Sequence, residues 1–139
     1  MWEEVENAIA IQNTELNTPY TMTELDKVLG NLPKGKATGK DDIPYEFLKN
    51  LPINGKEFLL NICTDTLLQE YFPKDLKHQL ILPFIKADKD PSLPESYRPI
   101  SLLSTIGKVI EKMMYNRMYW YFETNKLLPE YQAGFRKRR

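Results

Sequence analysis

At 139 residues, 42% hydrophobic and 27% charged, the chain has the composition of one globular domain with a modest core. Its single Cys63 excludes an internal disulfide, and Cys63 with the single His78 cannot make a Cys/His metal set. No apolar run approaches the roughly 20 residues that span a bilayer, and Met1-Trp2-Glu3-Glu4 lacks the basic and apolar stretches of a secretory signal, so an intracellular setting without a membrane partner is expected.

Formal net charge is zero, but residues 1–95 carry 10 Lys or Arg against 16 Asp or Glu, whereas residues 96–139 carry 9 against 3. The basic part is where a polyanion would bind. Two ends that complement each other within the fold would produce the same pattern.

Residues 1–20 read as an N-terminal segment in which Val5, Ala8 and Ile9 have helical spacing. Thr21 followed by Glu24 is a capping-box pattern, opening a helix through Leu25, Val28 and Leu29 that stops near Gly30. Residues 33–42, with Lys34, Lys36 and Lys40 around Gly35 and Gly39, predict a mobile basic loop, and Asp42 with Pro44 predicts a helix entrance. A break over Pro52 to Gly55 precedes a helix from Lys56 to about Tyr71, where Cys63 has the spacing of a buried apolar residue rather than a nucleophile.

Gln79 to Ile85 predicts a strand, with Pro83 marking an edge or a bulge, and Ile100 to Leu103 predicts a second, joined through an irregular loop over Ala87 to Ser96. Ser104 or Thr105 opens a long helix to about Asn125, with an apolar stripe of Ile106, Ile110, Met113, Met114, Met118 and Tyr121. The run Tyr119 to Phe122 reads as core, although aromatics beside Arg117 could also stack on unpaired bases.

Lys86 ends the first strand and Arg98 begins the second, so antiparallel pairing brings the two cations together. They could grip an anionic group, since Arg offers a fork that matches phosphate oxygens. From spacing alone a simpler reading stands beside it: two solvated strand-end charges, with Arg98 bonding loop carbonyls around Pro91.

Three stretches carry a family resemblance. Tyr97-Arg98-Pro99-Ile100-Ser101-Leu102-Leu103, following Leu80 to Lys86, resembles an opening motif of non-LTR (LINE-type) retrotransposon reverse transcriptases. Leu127 to Arg136 reproduces that family's Leu-Leu-Pro-Glu-x-Gln-x-Gly-Phe-Arg position for position. Lys36 to Pro44 resembles its Lys-Ala-Pro-Gly-Pro-Asp-Gly-Ile-Pro segment, with Thr38, Lys40 and Asp42 as departures. The resemblance covers about residues 21–139 and implies a partial reverse-transcriptase domain: an α+β fingers subdomain, helices packed on a small antiparallel sheet, with a long helix over about 104–125.

The resemblance also implies roles. Lys86 and Arg98 match positions that contact the triphosphate of an incoming nucleotide. Gln132, Gly134, Phe135 and Arg136 match positions bordering the template, and Arg139 keeps the Arg of the family's Gly-Arg-Ser continuation, where Arg138 replaces the Gly. A basic end, or a receptor-read nuclear address, is the other reading of Lys137 to Arg139.

The catalytic Asp residues of the family lie in palm motifs downstream of Gly134-Phe135-Arg136. Asp41-Asp42, the one adjacent Asp pair, belongs to a helix entrance instead. No catalytic residue or cofactor is therefore expected here, and Mg²⁺ only in a complete enzyme. Expected partners are an RNA template, a DNA primer, a dNTP in the complete enzyme, and the palm and thumb portions of a longer polypeptide. The expectation is a fragment of an RNA-directed DNA polymerase, inactive alone; the alternative is a non-catalytic nucleic-acid-binding or regulatory protein derived from a retroelement.

Overall fold

The computed structural model describes residues 16–129 together with Tyr131, Gln132, Gly134 and Arg136. Val5, Ala8 and Ile9, with their helical spacing, lie outside that range.

Thr21 caps helix α1 (Met22–Gly30) through the expected capping box, its hydroxyl accepting from the Glu24 N–H while the Glu24 carboxylate accepts from the Thr21 N–H. A short helix α2 (Tyr45–Lys49) starts after Pro44. Helix α3 spans Ile53–Leu68, three residues earlier than the spacing predicts, because Pro52 supplies the first carbonyl, to Lys56 N–H, and Gly55 is absorbed into the first turn. It ends before Glu70, which sits at φ 52°. The long helix α4 (Thr105–Thr124) has the expected bounds, with the Ser104 hydroxyl accepting from the Gly107 N–H and Asn125 closing its far end.

The helices form the core by packing on each other. Leu25, Val28 and Leu29 of α1, Leu48 of α2, Leu59 and Cys63 of α3, and Val109, Ile110 and Met113 of α4 are buried together with Tyr20. Cys63 is fully buried, which pushes its thiol up to about 12, as expected of a small core residue. Of the expected α4 stripe, Ile110 and Met113 are buried and Ile106 packs against the core, whereas Met114 and Met118 face solvent and Thr105 and Val109 join the buried face instead. The buried face is thus shifted towards Thr105, which is held there by donating to the Ile43 carbonyl at 2.7 Å.

Strands β1 (Gln79–Ile85) and β2 (Tyr97–Leu103) pair antiparallel in unbroken register from Gln79 opposite Leu103 to Ile85 opposite Tyr97. β2 begins three residues before Ile100, and Pro83 makes no bulge. Mixed α and β content, a two-stranded antiparallel sheet and a long final helix agree with the α+β expectation. The layering differs from it. Neither strand contributes a residue to the core, and most of both strands is exposed, so the hairpin stands off the helices instead of being covered by them. Among the described residues no helix is long and apolar enough to cross a membrane.

Candidate functional site

The hairpin register decides where the two candidate cations point. Lys86 N–H donates to the Ser96 carbonyl at 2.7 Å, marking a hydrogen-bonded pair. Alternation along the ladder then makes Phe84 with Arg98 the next hydrogen-bonded pair and Pro83 with Pro99 a non-bonded one, where the missing N–H groups cost nothing. Two prolines can face each other only at such a pair. By the same parity Lys86 and Arg98 lie on one face of the hairpin as diagonal neighbours, a separation of roughly 7–8 Å in such a ladder.

The two cations differ in what already holds them. The Lys86 ammonium donates to the Glu95 carbonyl at 2.6 Å, drawing it over the connecting loop. Arg98 is exposed and, among the described residues, makes no side-chain hydrogen bond or ion pair. It does not bond the carbonyls around Pro91; Tyr97 does, donating its hydroxyl to Pro91 at 2.9 Å. Asp90 is occupied by the Ser92 N–H and hydroxyl at 2.9 and 2.8 Å, which hold its carboxyl below the usual range. The loop is thus internally bonded while Arg98 keeps its five donors available.

At the opposite end of the hairpin the loop expected to be mobile is docked. A Cβ on Gly39 would lie 2.6 Å from the Leu103 carbonyl carbon and the Ser104 nitrogen, so only glycine allows that approach. Gly35 N–H donates to Glu46 at 2.7 Å, and Ile43 is held by Thr105. Asp42, where the resembled segment has Gly, adopts φ 52°. Its carboxylate accepts from the Thr38 hydroxyl at 3.3 Å, and Asp41 accepts from the Ile43 N–H. Among the described residues no group of three or more His, Cys, Asp or Glu is placed to hold a metal ion.

In the final segment Arg136 folds back onto α4. Its guanidinium donates to both Glu123 carboxylate oxygens at 2.8 and 2.7 Å and to the Pro129 carbonyl at 3.0 Å, and its side chain is only 7% exposed. Gln132 and Gly134 are exposed on the loop so formed. Phe135 and Arg139 lie outside the described residues.

Sequence comparison adds an independent line. The chain is 36% identical over 119 residues to the probable RNA-directed DNA polymerase from transposon BS of Drosophila melanogaster, covering 86% of this chain and 13% of that protein. It is 35% identical over 116 residues to the RNA-directed DNA polymerase from mobile element jockey of the same species, covering 84% and 13%. Similarity extends to a putative 115 kDa protein in the type-1 retrotransposable element R1DM, 32% over 120 residues. The chain belongs to the non-LTR retrotransposon reverse-transcriptase family. It spans about 13% of the length of the curated relatives named first. No protein-family profile matches it.

Two contributors in this reverse-transcriptase segment were not legible as such in the sequence. Arg117 binds Glu24 at 2.7 Å and the carbonyls of Leu16, Thr18 and Pro19, and lies 4.1 Å over the Tyr20 ring. Gly39 sets the approach of the basic loop to the hairpin base. A glycine between basic residues was a visible signal for the second; nothing local pointed to the first.

Proposed function

We propose that the chain is the fingers portion of an RNA-directed DNA polymerase and that Lys86 and Arg98 hold the triphosphate of the incoming nucleotide. The observation that carries this reading is the placement of both cations on one face of an exposed hairpin. Lys86 supplies a point charge and Arg98 a planar fork, and phosphoryl transfer depends chiefly on such positioning and charge neutralisation. Gln132, Gly134, Phe135, Arg136 and Arg139 are assigned to the template side, with Arg136 shaping the loop through Glu123. RNA template and DNA primer are the macromolecular partners. Asp41 and Asp42 serve local turns, so Mg²⁺ would be held by carboxylates of the palm in a complete enzyme, and the chain alone is inactive.

The test places residues 21–136 in the homologous position of the jockey polymerase and measures primer extension on RNA. Arg98→Ala is expected to raise the KM for dNTP at least tenfold with template affinity retained. An unchanged KM would reject the assignment. Template-dependent incorporation by this chain alone, lost in an Asp41→Asn, Asp42→Asn variant, would reject the inactive reading.

A further inference from the structure

Helices α1 and α4 leave a groove along their shared edge, remote from the Lys86 and Arg98 pair in sequence and built from different elements. One section, a cleft of about 540 Å³, has Lys27 and Asn31 on the α1 wall and Lys108, Lys112 and Asn116 on the α4 wall. The adjoining section, about 440 Å³, shares Lys27 and Asn116 and includes Trp120. On α4 these side chains recur every fourth residue, a slowly winding stripe about 18 Å long.

The unpaired side-chain charge along this groove is positive. None of the three lysines has a carboxylate partner among the described residues. Glu24, at the Trp120 end, is neutralised by Arg117 at 2.7 Å; Glu111 lines a cleft beside Phe72 and Met114 and adds to burial in raising the pKa of the groove's Tyr45 hydroxyl, but pairs with none of the three lysines. The Lys112 ammonium lies 4.3 Å over the Tyr115 ring and that of Lys108 5.9 Å over the Tyr45 ring, contacts that orient both without using their N–H donors. Trp120 is 53% exposed and outside the core, so the aromatic run has one ring left for another use.

We propose that this groove binds a single-stranded polynucleotide, with phosphates at Lys27, Lys108 and Lys112 and a base stacked on Trp120. A small anion would need the cations focused on one point, whereas here they are spread along the groove, as a polymer of regularly spaced charges requires. Trp120 at its end supplies the π-face that every base can use. The inference deepens the polymerase reading by giving a strand a path. It is read by strand binding and not by the KM for dNTP, so either can fail without the other.

The test is fluorescence anisotropy with the whole chain and labelled oligo(U) or oligo(dT), over a series of salt concentrations. Combined Lys27→Gln, Lys108→Gln and Lys112→Gln is expected to weaken binding at least tenfold at low salt and to flatten the slope of log K against log salt by about 2, at about 0.7 per phosphate contact. Lys74→Gln with Lys77→Gln is the control, expected to change neither. In a Trp2→Phe background Trp120 is the one remaining tryptophan. Its fluorescence should then be quenched by either oligonucleotide, a measurement that needs no lysine variant to fold. Preference for oligo(U) would make the groove a template path and preference for oligo(dT) a primer path. An unchanged slope in the triple variant, or quenching by polyglutamate equal to that by oligonucleotide, would overturn the proposal.

Discussion

Arg117 and Glu24 form a forked ion pair, with Nε 2.7 Å from Oε1 and Nη2 2.9 Å from Oε2. The same carboxylate closes the capping box of α1 on Thr21, and the same guanidinium gathers three carbonyls from residues 16–19. One side chain of α4 thereby fastens both the start of α1 and the segment that enters it. The pair is only partly screened, since the Arg117 side chain is 12% exposed and that of Glu24 34%.

Arg117→Ala is expected to destabilise the fold by about 2–4 kcal/mol, because it strands a carboxylate and several carbonyls at once. Arg117→Lys should fall between, lacking the fork. The hydrogen bond from Arg117 holds the Glu24 carboxyl down to about 2, against an ordinary value of 4.5. A depressed folded pKa stabilises fully above the unfolded value and is lost as pH falls towards the folded one. Denaturant titrations should therefore show wild type exceeding Glu24→Gln by about 1–2 kcal/mol above pH 5, discounted for solvent screening, with the gap closing between pH 4.5 and 2.

Gly39→Ala tests the docking of the basic loop. Its Cβ would meet backbone at 2.6 Å, and backbone cannot rotate aside, so a loss of about 2 kcal/mol or more is expected in thermal unfolding. Gly30→Ala is the control, having nothing within 4 Å of the added atom, and should be nearly neutral. Equal effects at the two positions would show that the close approach is not what Gly39 provides.

The elements that local chemistry specifies were legible: the Thr21 and Glu24 box, the Ser104 and Asn125 ends of α4, and both strands. Misplaced features depend on distant partners. Thr105 joins the buried face of α4 through the Ile43 carbonyl 62 positions away, and Arg117 reaches carbonyls about 100 positions away. The exposure of the hairpin could not be read from Leu, Ile and Phe, whose run in a strand looks the same whether covered or not. For the candidate site, the closeness of Lys86 and Arg98 followed from antiparallel pairing. The closure of Arg136 on Glu123 did not follow from a motif that describes its loop in isolation.

Asp42 carries a test of the family departure. Non-glycine residues at φ 52° are strained, and Asp tolerates that region better than most. Restoring the family's glycine by Asp42→Gly should leave stability unchanged or raise it by up to about 1 kcal/mol, since the exposed 3.3 Å bond to Thr38 contributes little. Asp42→Val should lower it by more than 1 kcal/mol. Thermal unfolding in which the Val variant is destabilised and the Gly variant is not supports the left-handed backbone; destabilisation by Gly equal to that by Val would mean that the carboxylate, not the backbone, matters there.

The hairpin offers the last test, because a two-stranded sheet has two unpaired edges and here carries uncovered apolar side chains. Ile81 is 54% exposed, Phe84 50%, Ile85 47% and Ile100 44%. Such an edge recruits other strands, so the chain by itself is expected to self-associate as its concentration rises. Ile81→Lys with Ile85→Glu alters the face opposite Lys86 and Arg98, adds no net charge and touches no core residue. Sedimentation velocity should show that variant as a monomer where the parent associates, and its unfolding midpoint should stay within a few degrees of the parent. A large fall in that midpoint would mean the strands stabilise the helical core after all, and persistent association would place the contact elsewhere.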